Sequence, residues 1–98
     1  MSHPSKVKGN SFERECVELF KGLGLESKRA WGSNGASLGL DPEVDVVAGG
    51  KTVQCKRRKA LPAYLQIPAS CHCVAFRQDR GEPLVLIRLK DYAELIKE

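Results

Sequence analysis

Apolar residues recur at helical spacing near the start of the chain. Phe12, Cys16, Leu19, Phe20 and Leu23 fall at i, i+4, i+7, i+8 and i+11, which is one face of a helix. Asn10 or Ser11 can cap this helix, and Glu13 then falls in its first turn, where the helix dipole favours a carboxylate. Gly22 and Gly24 end it. Residues 1–9 precede it as a basic, flexible arm carrying Lys6 and Lys8, and residues 10–98 form a single domain.

Residues 25–31 read as a short strand, and the Gly-, Ser- and Asn-rich stretch 32–42 reads as a long loop. Residues 43–48 (EVDVVA) and 51–56 (KTVQCK) are β-rich runs joined by Gly49-Gly50, a hairpin signal. Residues 60–67 can form a helix with Pro62 in its first turn. Strands at 71–77 and 83–89 follow, and a helix at 91–97 closes the chain. The run at 83–89 (PLVLIRL) is nearly continuously apolar, as for a strand covered on both faces. The order is α-β-β-β-α-β-β-α, which predicts an α/β domain with a central mixed β-sheet flanked by helices.

Length and composition narrow the function classes. With 98 residues the chain is one domain, far short of the roughly 250 residues of a TIM barrel. No apolar run approaches the roughly 20 residues that span a bilayer. The first ten residues lack an apolar signal-peptide core, so a cytoplasmic location is expected. Four cysteines (Cys16, Cys55, Cys71, Cys73) show no C-x-x-C spacing and read as structural thiols. His72, alternating with Cys71 and Cys73, reads as structural too.

The net charge of +4 is unevenly spread. Lys51, Lys56, Arg57, Arg58 and Lys59 lie within nine residues that contain no acid, a block suited to an anionic partner such as nucleic acid. Asp45 lies on one arm of the hairpin, and Gln54 and Lys56 lie two apart on the other. Pairing across Gly49-Gly50 sets opposite each other residues whose numbers sum to 99. Asp45 then faces Gln54, and all three side chains share one face. A carboxylate, an amide oxygen and an ammonium beside a cationic patch suit metal-assisted phosphodiester cleavage. The same spacing also fits a plain cross-strand ion pair of Asp45 with Lys56.

Asp45 followed by Gln54-Cys55-Lys56 after the Gly-Gly turn resembles the D…(E/Q)-x-K core of the PD-(D/E)XK nucleases. Within that superfamily, with its restriction-endonuclease-like core, the chain resembles the archaeal-type Holliday junction resolvases and their phage-encoded relatives. Gly9-Asn10-Ser11-Phe12-Glu13-Arg14 resembles their opening G-S-x-x-E-R, Arg29-Ala30-Trp31-Gly32-Ser33 their R-A-x-x-S, and Glu43 to Val47 their P-D-I-I strand. Gln54 stands where those resolvases usually carry glutamate, and Q-x-K is typical of Mrr-type restriction endonucleases.

The resemblance implies an Mg²⁺- or Mn²⁺-dependent endonuclease that cuts four-way DNA junctions as a homodimer, with no small-molecule substrate. Glu13, Asp45, Gln54 and Lys56 would be catalytic. Glu13, Asp45, Gln54 and the Cys55 carbonyl would hold the metal. Lys8, Arg29, Ser33, Arg57, Arg58 and Lys59 would contact DNA. An Mrr-type nuclease and a DNA-binding module with impaired catalysis are the alternatives.

Overall fold

The computed structural model describes residues 4–30 and 35–97, with the backbone alone for residues 4–9, 35 and 37. Its first element, α1, spans Pro4–Gly22. The helix therefore starts six residues before the cap expected at Asn10, and residues 4–9 are helical backbone rather than an arm. Proline suits a first helical turn because its φ is preset and its missing N–H would go unpaired there.

The C-terminus of α1 is closed by two backbone bonds. Leu25 N–H donates to the Phe20 carbonyl and Gly24 N–H to that of Lys21, both at 3.0 Å. This is a Schellman motif, and Gly24 takes the left-handed conformation it requires, with φ +91°.

Three short strands follow: β1 (Ser27–Arg29), β2 (Val46–Ala48) and β3 (Lys51–Val53). They form an antiparallel sheet in the order β1-β2-β3. Gly49 and Gly50 both have positive φ, 55° and 78°, as a tight two-residue hairpin turn needs. The observed pairs Val46–Val53, Val47–Thr52 and Ala48–Lys51 all sum to 99, as expected. A 3₁₀ turn at Gly35–Leu38 lies within the segment expected as loop.

The middle helix expected at 60–67 is reduced to a single 3₁₀ turn, Ala63–Leu65. Pro62 and Pro68 bracket the segment, and the residue before a proline is pushed away from helical backbone. The chain ends with β4 (Cys73–Phe76), β5 (Leu84–Ile87) and α2 (Leu89–Ile96). β4 and β5 form a second antiparallel sheet of their own. The α/β class stands, but two small antiparallel sheets replace the single mixed sheet. β5 is not covered on both faces, since Leu84 and Val85 are exposed.

The core is built where α1 lies on β1 and β2, with α2 against α1. Cys16, Val17, Phe20, Leu25, Val46, Ala48 and Ala93 are its buried members. Leu19, expected inside, is exposed, and Val17 takes its place. The buried stripe of α1 is thus Glu13, Cys16, Val17 and Phe20, at i, i+3, i+4 and i+7. One carboxylate rides on the apolar face.

Candidate active site

Glu13 and Asp45 are the buried charged residues among those described, 4% and 9% exposed. An unpaired carboxylate in such surroundings is costly, so each must be held by donors. Glu13 is met by Arg29, the last residue of β1, whose Nε donates to Oε1 at 3.0 Å. Asp45 is met by backbone: the Cys55 amide donates to Oδ2 at 2.7 Å. A charge-assisted bond of that length is among the stronger kinds. Among the described residues no donor reaches Oδ1.

Asp45 lies just before β2, where the ladder is offset. Its amide donates to the Val53 carbonyl at 3.0 Å, and its carbonyl accepts from Ala30 N–H at 2.8 Å. Val44, Asp45 and Val46 are all buried, so the strict alternation of a strand is broken here. The expected face-to-face placement of Asp45 and Gln54 therefore does not form. Regular pairing ends at Val46–Val53, and it is Cys55 that meets the Asp45 carboxylate. Gln54 and Lys56 are exposed on either side of half-buried Cys55, and no hydrogen bond joins them to Asp45.

A family model described as archaeal Holliday junction resolvase (hjc) matches residues 4–97. The chain belongs to that family. No curated protein and no solved structure matches it. Its function is accordingly that of a Holliday junction resolvase, a nuclease whose substrate is branched DNA.

In this resolvase the basic run lies directly after the site. Lys56, Arg57, Arg58 and Lys59 are all exposed, and Arg58 leans back to donate to the Arg57 carbonyl at 3.1 Å. Arg29, expected on DNA, donates its Nε to Glu13. Ser33 and the side chain of Lys8 lie outside the described residues. Glu43, two residues before Asp45, is exposed.

A thiol pair missed by motif reasoning adjoins the carboxylates. Cys16 lies three residues after Glu13 on the buried stripe, and Cys55 packs against the core cluster that contains it. Interaction with the Cys16 side chain, burial and the charges of Cys16, Asp45 and Glu13 push the Cys55 thiol far above the ordinary thiol range. The stripe spacing 13, 16, 17, 20 was the available signal for Glu13 and Cys16 lying together.

Proposed function

We propose that this resolvase hydrolyses phosphodiester bonds at four-way DNA junctions with the help of Mg²⁺ or Mn²⁺. The observation that carries the reading is Asp45: a buried carboxylate clamped at Oδ2 by the Cys55 amide, with no donor among the described residues at Oδ1. Hard cations take oxygen ligands, commonly one or two carboxylates, and keep several waters. The donor types suit that need: Asp45 Oδ1 would be the first ligand, with Glu13 and the Cys55 carbonyl as further oxygens, and the exposed Gln54 amide oxygen would have to turn toward the cation to join them. No group of three or more His, Cys, Asp or Glu side chains gathers among the described residues, so much of the coordination would fall to water and DNA. Arg29 competes for Glu13, which makes Asp45 the principal ligand.

When bound, the cation would polarise the scissile phosphate and acidify a water. The chain's own residues supply the rest. Lys56, exposed beside the site, would stabilise charge developing on the phosphate oxygens or orient the attacking water. Arg57, Arg58 and Lys59 would hold the neighbouring phosphates. Ser33 and Lys8 would add contacts from the loop and the first helix.

A homodimer suits the substrate, because resolving a junction takes two cuts and each chain carries one Glu13–Asp45 site. The β4–β5 hairpin offers a face for the second copy. Val85 is 58% exposed and pairs with exposed Ala75. An isolated two-stranded hairpin is marginal in water unless something covers it. Acting on DNA, the chain would work in the cytoplasm of a bacterium, an archaeon or a phage-infected host. Among the described residues no helix is long and apolar enough to cross a membrane.

The test is cleavage of a labelled four-way junction with Mg²⁺ by the wild type and by Asp45→Ala and Lys56→Ala. Cutting by the wild type alone supports the assignment, and equal cutting by both variants overturns it. Equal cutting of linear duplex would favour an Mrr-type nuclease. Tight binding with no product under any divalent cation would favour a DNA-binding module, the reading that the neutral Gln54 supports.

A further inference from the structure

The acid-free stretch continues well beyond the basic run. Between Lys51 and Gln78 there is no Asp or Glu, and the cations are Lys51, Lys56, Arg57, Arg58, Lys59 and Arg77. From Gln54 to Pro62 this stretch has no helix or strand, and Lys56 to Pro62 is exposed throughout. It leads directly into the 3₁₀ turn that carries Tyr64, which is 67% exposed.

That exposed ring is held on a braced support. Leu65 N–H donates to the Pro62 carbonyl at 2.9 Å and Gln66 N–H to that of Ala63 at 3.1 Å. The Gln66 side-chain amide closes the turn on the Leu61 carbonyl at 2.9 Å. Pro62 and Pro68 stiffen both ends. An aromatic residue exposed on a stiffened turn loses little freedom when it binds something.

Tyr64 also forms one wall of an open cavity of about 690 Å³. Phe76 and Leu84, paired across β4 and β5, add apolar walls. Arg77, Gln78 and Glu82 place donors and acceptors at its edge. Gln78 is folded over Gly81, where an added Cβ would meet its Cγ at 2.6 Å. Two rings with a polar edge suit a flat heteroaromatic group, and the cationic strap that leads along the chain into Tyr64 suits a polyanion. Val85 is one residue removed from Leu84 along the strand, so it faces the opposite side of the hairpin.

We propose that this cavity receives an unstacked nucleobase of the branched DNA, stacked on Tyr64, while the strap from Lys56 to Lys59 holds the adjoining phosphates. The inference rests on the DNA-binding reading above. It adds a base-stacking site that lies on a different sheet from Asp45. Stacking on a ring accepts any base, and it carries no phosphate charge.

The test is full-chain binding to a labelled four-way junction over a range of salt, with 2-aminopurine placed at the branch point. Tyr64→Ala should weaken binding about tenfold with an unchanged salt slope, and should abolish the change in 2-aminopurine fluorescence. Tyr64→Phe should restore both. Arg58→Ala should instead reduce the salt slope by about one. Failure of the wild type to bind the junction overturns the DNA reading and the cavity together. Junction binding with an Arg58-dependent slope and an indifferent Tyr64 overturns the cavity alone. So does sedimentation showing that Tyr64→Ala dissociates a DNA-free dimer, because the face would then belong to a second copy of the chain.

Discussion

The Cys55 backbone amide holds the Asp45 carboxylate at 2.7 Å, so the residue between Gln54 and Lys56 reaches Asp45 through its main chain. The donor is main chain, so proline is the one substitution at position 55 that removes it outright. It anchors the carboxylate through Oδ2, and no donor among the described residues reaches Oδ1. Asp45→Asn keeps an acceptor for the amide while removing the charge. Its expected outcome is a fall in junction cleavage of about a hundredfold or more, with junction affinity little changed. Single-turnover cleavage beside an equilibrium binding titration checks this.

Arg29 and Glu13 form a part-buried ion pair between β1 and α1. Removing the cation takes a charged donor from the buried Glu13 carboxylate. Arg29→Met is expected to cost about 1.5–3 kcal/mol of stability, the scale of one lost hydrogen bond to a charged group. Arg29→Met combined with Glu13→Gln should recover part of that loss. Urea unfolding of the four members of the cycle measures the coupling.

Gln54 is neutral and exposed where a carboxylate would add charge for a cation. Gln54→Glu is expected to lower the Mg²⁺ concentration for half-maximal cleavage by about tenfold, equivalent to about 1.4 kcal/mol. A titration of cleavage rate against Mg²⁺ reads the shift directly. An unchanged midpoint would remove Gln54 from the ligand set.

The thiols divide by environment. Cys71 and Cys73 are exposed, Cys16 is buried, and Cys55 is half-buried with its thiol pushed upward by Cys16 and by burial. Because the thiolate is the reactive form, iodoacetamide at pH 8 should modify Cys71 and Cys73 at least about tenfold faster than Cys55. Peptide mass mapping over time checks the order. Loss of the Cys16 partner in Cys16→Ala should speed Cys55 modification.

Arg57 and Lys59 are exposed on the strap that follows the site. If both hold phosphates, Arg57→Ala with Lys59→Ala should lower the salt slope of junction binding by about two. Binding titrations at four or five salt concentrations suffice.

Local signals settled much of this protein. The Gly49-Gly50 turn set the hairpin register, because two residues with positive φ leave one pairing available. Gly24 set the end of α1, and the D…Q-x-K spacing with Glu13 led to the resolvase family. Three features were decided only by tertiary packing. α1 is rotated so that Val17 and Glu13, not Leu19, face the sheet, because a helix buries the stripe its partner can accommodate. The ladder is offset at Asp45, which brings Cys55 rather than Gln54 to the carboxylate, and no local pattern encodes an offset of that kind. The pairing of Arg29 with Glu13 joins residues sixteen apart, and charge along a sequence does not say which cation will reach a buried acid.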